Sequence, residues 1–161
     1  PSGEAYKAPY EAAPSEINNF GPSRTEGVMP VSYDGELVRF LIVNNRIVDV
    51  SGESPKAEEM HAFFETNKTR RNIAELGIGC NPAAVVTGNP LEDEKVSGLH
   101  IAYGMSSHLG GKVDSDMHMD IIYARECPVA ATTLTLIDKD GTQIELLKET
   151  RFRYDLLEVK Q

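Results

Sequence analysis

His118 and Asp120 stand two residues apart in the run DMHMDIIYA (116–124), and side chains two apart on a strand project from one face. An imidazole beside a carboxylate is a metal-ligand pair by its chemistry. Two further apolar runs each carry one donor of the same kind: NIAELGIG (72–79) holds Glu75 and GLHIAYG (98–104) holds His100. Sorting the three runs by face puts Ala74, Leu76 and Ile78 opposite Ile73, Glu75 and Gly77, and Leu99, Ile101 and Tyr103 opposite His100, Ala102 and Gly104. Met117, Met119 and Ile121 lie opposite Asp116, His118, Asp120 and Ile122. The expectation is an apolar face packed in the core and a donor face set among small neighbours. Each buried charge costs several kcal/mol unless it is paired or bound to metal. A divalent cation meets that cost, and a mixed N/O donor set without thiolates suits Zn, Co, Mn or Fe(II). Two ions sharing carboxylates would favour metal-assisted hydrolysis through an activated water.

The elements that must position these residues follow from local pattern. Two β-branched runs, Glu36–Val43 and 46–50, flank Asn44-Asn45, a pair that tolerates the positive φ of a tight hairpin turn. Ser54 as cap and Pro55 in the first turn introduce a helix over about residues 55–67, with Ala57, Met60, Phe63 and Phe64 at helical spacing. Asn89-Pro90 starts a short helical turn through Lys95, and residues 131–137 and 142–147 flank the turn Asp138-Lys139-Asp140-Gly141 as a hairpin. The first thirty residues, rich in Pro, Gly, Ser and Asn, read as turns and extended connections without a long helix. The sum is an α+β class, a β-dominated domain of mostly antiparallel strands with one strong helix.

Other candidate groups read more plainly. His61 belongs on the solvated side of the helix, whereas His108, in the Gly-rich loop 106–115, could reach a substrate. Gly77-x-Gly79 and Gly110-Gly111-Lys112 lack the rest of a phosphate-binding loop. Glu92-Asp93-Glu94 is an acidic stretch from which one carboxylate could turn inward. Sixteen Lys and Arg against twenty-five Asp and Glu leave a net charge of −9, which repels nucleic acid and anionic membrane surfaces. No apolar run reaches the roughly 18 to 20 residues of a membrane span. Cys80 and Cys127, without CxxC spacing, fit a reducing compartment, so a cytoplasmic location is expected.

NIAELGIGCNP (72–82), TGNPLEDEKVSGLHIAYG (87–104) and SDMHMD (115–120), with the opening PSGE, together resemble the metal-binding C-terminal part of the thermophilic metallo-aminopeptidase family, the aminopeptidase T and S type. The resemblance runs from Pro1 to about Val129. It implies a two-metal centre with Glu4, Glu75, His100, His118 and Asp120 as ligands and Glu94 as a further one. Glu4 enters through the resemblance alone, as the Glu of the family's PxGE motif. It also implies that residues 1–161 are a domain of a longer protein whose N-terminal domain helps wall the substrate cleft. The family carries a Tyr seven residues beyond its first His, and that position here is Ser107. The catalytic candidates are therefore Glu75, Glu4, Ser107 and His108. Around Gly110-Gly111-Lys112 and the His-x-Asp pair the chain is also similar to mononuclear Fe(II) ring-cleaving dioxygenases of dihydroxypyridine, which would draw on His100, His118 and Asp120. The readings are a peptidase with two ions of Zn, Co or Mn, alternatively an oxygenase with one Fe(II), or a domain that folds but is catalytically silent in isolation. The partners expected are a peptide substrate, the N-terminal domain of the same protein and a second copy in a homodimer.

Overall fold

The protein's structure is a computed structural model that describes residues 3–156. Pro1 and Ser2 of the PSGE motif lie outside the described residues. Ten strands and three short helices follow one another in the described chain, giving the β-dominated α+β class expected. Strands β1 (Glu4–Lys7), β5 (Ile73–Gly79), β6 (Gly98–Gly104) and β7 (His118–Ala124) form a four-stranded sheet in the order β1-β5-β6-β7. Strands β2 (Gly27–Tyr33), β3 (Glu36–Val43) and β4 (Arg46–Ser51) form an antiparallel meander, and β8 (Thr133–Ile137), β9 (Gln143–Lys148) and β10 (Arg151–Phe152) a second one. The helices are α1 (Pro14–Phe20), α2 (Pro55–Thr66) and α3 (Pro90–Asp93). The described chain divides into two compact units: residues 6–76 and 101–121 make one, and residues 3–5, 77–100 and 122–156 the other.

In the unit of residues 6–76 and 101–121, β3 alternates strictly, burying Val38, Phe40 and Ile42 while its other face stays exposed. Asn44 and Asn45 take positive φ of 52° and 66° at the β3–β4 turn, as their sequence implies. Asn45 also donates from Nδ2 to the Ile73 carbonyl (2.8 Å) and to Asn72 Oδ1 (3.1 Å), fastening the hairpin to the start of β5. Helix α2 buries Ala57, Met60 and Phe64, and Phe64, Phe40 and Tyr103 pack edge to face at 5.2 to 5.8 Å. Tyr103 is thus a core residue whose hydroxyl meets that of Tyr33 at 3.1 Å. Ser54 does occupy the N-cap position of α2, but its hydroxyl caps no backbone N–H and has no hydrogen-bond partner.

In the other unit, the β8–β9 hairpin closes as expected. Asp138 Oδ1 accepts from the N–H groups of Asp140 (2.8 Å) and Thr142 (2.9 Å), and Gly141 supplies a φ of 85°.

Two expectations are corrected. The first thirty residues are not merely connections, for they supply β1, the seven-residue α1 and β2. Met29 and Val31 alternate into the core, and Pro30 between them is tolerated because β2 is an edge strand. The second correction concerns the faces of the three donor runs. Leu76 is 42% exposed and Met119 41%, whereas Glu75 is only 5% exposed and His100 1%. The donor side is covered at Glu75 and His100, while the apolar side is covered at Ala74 and Tyr103 and open at Leu76 and Met119. The donor side can be covered because the residues beside the donors, such as Gly77 and Ala102, are small.

Candidate metal centre

Glu75 comes from β5 and His118 and Asp120 from β7. His118 Nε2 lies 3.2 Å from Glu75 Oε2 and 3.4 Å from Asp120 Oδ1, and one ligand atom from each of the three residues falls within 4.8 Å of the others. Bonds of roughly 2.0–2.1 Å in a tetrahedral site put ligand atoms about 3.3 Å apart, so this spacing is that of donors around one ion. The tautomer is fixed from behind. His118 Nδ1 lies 2.7 Å from the Met105 carbonyl, which can only accept, so Nδ1 carries a proton and Nε2 faces the carboxylates.

Burial works against a charged imidazolium here. The carboxylates of Asp120 and Glu75 beside the ring outweigh it, with help from the Met105 carbonyl, and push the His118 pKa up to about 10. A proton thus sits where two carboxylates and a ring nitrogen converge. Asp120 Oδ1 is fully buried, yet lacks a hydrogen-bond partner, although it lies 3.4 Å from the ring. A buried carboxylate oxygen left in that state is what a bound cation would satisfy. The three residues therefore fit a divalent metal ion.

The loop after β6 borders this group. Ser107–Leu109 is a single 3₁₀ turn, and the His108 ring meets the His118 ring edge to face at 4.8 Å, with its own surface open to solvent. Ser107 is exposed and reaches no closer than 3.5 Å to Asp114 Oδ1. Sequence reasoning missed what holds the loop. Glu11, half-buried, accepts from the Lys112 N–H (2.6 Å), from Asn72 Nδ2 (2.9 Å) and from the fully buried Ser106 hydroxyl. A Cβ at Gly111 would lie 2.3 Å from Ser106 Oγ, so this clasp requires glycine there. Arg70 likewise ties the chain ahead of β5 to Asp116, just ahead of β7, through bonds of 2.6 to 3.2 Å to both carboxylate oxygens.

The remaining donors belong to the other unit. His100 Nε2 stands 4.0 Å from Glu4 Oε2. A Cβ at Gly77 would fall 1.8 Å from His100 Nε2, so the imidazole occupies the space that glycine leaves open. Glu94 and Glu4 both face the Lys95 ammonium, at 2.7 and 3.5 Å. Lys95 was not singled out in the sequence, where it reads as an ordinary residue of a charged stretch. The inward acid of that stretch is Asp93, fully engaged by the N–H groups of Thr87 and Gly88 and the Thr87 hydroxyl, which gives it a structural role. Among the described residues, the structure gathers Glu75, His118 and Asp120 as a group that could hold a metal ion; Glu4, Glu94 and His100 do not converge in that way. No described helix is long and apolar enough to cross a membrane.

No family model and no curated protein matches the chain. Among solved structures it is similar to wild-type AmpT from Thermus thermophilus, with a TM-score of 0.62 and 20% identity over 94% of this chain and 39% of that one. At this identity the likeness establishes a shared fold, and the chain spans about two-fifths of that structure's length. A 2,5-dihydroxypyridine dioxygenase from Pseudomonas putida KT2440 is also similar, with a TM-score of 0.47 and 19% identity over 62% of this chain and 36% of that one.

Proposed function

We propose that the chain is the metal-binding part of a metal-dependent aminopeptidase of the aminopeptidase T and S type, which removes N-terminal residues from peptides. The observation that carries this reading is the spacing of Glu75, His118 and Asp120 around a buried carboxylate oxygen that lacks a hydrogen-bond partner. The fold shared with AmpT and the four motifs in order support it. The gathered set has one imidazole and two carboxylates, a hydrolase-type set, whereas the oxygenase alternative draws on two histidines and one carboxylate.

In this reading Glu75, His118 and Asp120 hold one divalent ion, and Glu4, Glu94 and His100 supply ligands to a second; Zn, Co and Mn suit both sets. Ions held by these residues would supply Lewis-acid polarisation of the scissile carbonyl and acidification of a bound water. Glu75 or Glu4 takes the proton of the attacking water and returns it to the leaving amine. His118 keeps its ring fixed through Met105. His108, exposed and edge-on to His118, orients the substrate, with Ser107 beside it.

The test is elemental analysis of the purified chain together with release of product from unblocked and N-acetylated aminoacyl amides. Bound metal, with cleavage of unblocked substrates alone, is the expected result. A metal-free chain at neutral pH after dialysis against Zn²⁺, or equal cleavage of blocked substrates, would overturn the reading.

A further inference from the structure

Arg70, Arg71 and Arg153 each hold a carboxylate, at Asp116, Glu65 and Asp155. Arg125 and Arg151 hold none: among the described residues neither makes an ion pair or a side-chain hydrogen bond, although the chain carries twenty-five acids. Both line one cavity of about 430 Å³, formed wholly within the unit of residues 3–5, 77–100 and 122–156. Its wall also presents Val86, left 38% exposed, and the rings of Phe152 and Tyr154, whose centroids lie 4.9 Å apart. Glu126 is the one carboxylate among the described lining residues, so the two guanidiniums leave the wall one positive charge in excess. The turn that leads into Arg151 is held against its own preference. Lys148 pairs with Arg151, so Glu149 and Thr150 alone reverse the chain, at positive φ of 51° and 65°. Asn-Gly suits such a turn, and a β-branched threonine there is strained. Strain of this kind gathers at sites of function, and Thr150 lines the cavity beside Arg151.

We propose that this cavity binds a small organic monocarboxylate, with Arg125 and Arg151 taking the anionic end and the Phe152–Tyr154 wall taking an apolar, ring-sized body. The planar fork of a guanidinium matches the two oxygens of a carboxylate. A concave site of roughly 300–1,000 Å³ with apolar walls and a few convergent polar groups is the usual form of a small-molecule site. A cationic or neutral ligand would leave both guanidiniums without an anion, and a bare anion would leave Val86 and the two rings in water. Glu126 offsets one of the two positive charges, which favours a monoanion over a phosphate dianion. No residue of this lining is among the metal donors named above, so the proposal stands apart from the metal reading.

The experiment is an amide NMR titration of the whole chain, residues 1–161, with hydrocinnamate, which joins a phenyl ring to a carboxylate. Hydrocinnamide keeps the shape without the charge, acetate keeps the carboxylate without the ring, and inorganic phosphate is a different anion. Hydrocinnamate should bind in the millimolar range expected of a ligand this small and move the amides of residues 84–86, 96–97 and 150–152. The three comparison probes should each bind at least about tenfold more weakly. Arg125→Gln and Arg151→Gln should each weaken hydrocinnamate by about tenfold, as for loss of a charge-assisted hydrogen bond. Arg153→Gln removes the same charge from an arginine already paired with Asp155 and should leave the affinity unmoved. Each variant is checked for folding by circular dichroism. Absence of saturable shifts at these amides in wild type would overturn the proposal, as would hydrocinnamide or phosphate binding as tightly as hydrocinnamate. Equal weakening by all three arginine variants would also overturn it, because the effect would then be one of overall charge.

Discussion

The two donor groups differ in where their positive charge comes from. Around His118 two carboxylates converge on a ring nitrogen, and Asp120 Oδ1 is left buried without a hydrogen bond. Around Lys95 two carboxylates converge on an ammonium that also donates to the Leu91 carbonyl. Each group sets one cation against two carboxylates; in the first the cation is a protonated ring, in the second a side-chain ammonium. A ligand set is therefore not defined by its residue types alone.

The largest expected effect breaks the first group from below. Phe64 packs against Phe40 and Tyr103 in the core of the unit that carries Glu75, His118 and Asp120. Phe64→Ala should cost about 3–5 kcal/mol in chemical denaturation. Excess Zn²⁺ should recover part of that loss, since an ion that binds only the folded form stabilises it by mass action.

A second test removes the ligand and spares the core. His118→Ala should weaken Zn²⁺ binding by at least about a hundredfold, beyond the range seen when outer-shell partners are lost. Unchanged Zn²⁺ affinity in this variant would remove His118 from the ligand set.

A third change loosens the loop that carries His108. Glu11→Gln gives up charge-assisted bonds to Ser106, Asn72 and the Lys112 N–H and should cost about 1–2 kcal/mol. Faster amide exchange across residues 106–113, with the Zn²⁺ affinity of the first group retained, is the outcome that assigns Glu11 to positioning.

The smallest effect is read in acid. Hydrogen bonds from Arg70 hold Asp116 at about 2, below its ordinary 3.8. A lowered carboxylate pKa contributes stability that is present above the unfolded value and lost as pH falls through the folded one. Melting curves of metal-free wild type should thus steepen in their decline between about pH 4 and pH 2. Asp116→Asn should lack that component and leave the neutral-pH metal titration unchanged.

Much of the scaffold was legible along the chain. The Asn44-Asn45 turn, helix α2 and the β8–β9 hairpin rest on positive φ, helical spacing and Asx-turn chemistry, all local properties. The N-terminal strands and α1 were not legible, because a Pro-rich segment gains order only when other strands cover it. The face assignment held at Ala74 and Tyr103 and failed at Leu76 and Met119 for a related reason. Alternation divides a strand into two sides, but whether Leu76 or Glu75 is buried depends on what is laid over each side.

Sequence by itself determined the donor types, the two-residue spacing of His118 and Asp120, and the small residues such as Gly77 that leave room for an imidazole. Those are covalent facts, fixed by residue type and strand period. Only the tertiary structure decided which donors meet, that Met105 sets the His118 tautomer, that Glu11 clasps the His108 loop, and that Lys95 stands between Glu4 and Glu94. Electrostatic energy falls with distance in space and is indifferent to distance along the chain. Ninety-one positions separate Glu4 from Lys95 in sequence, and 3.5 Å separates their charges in the fold.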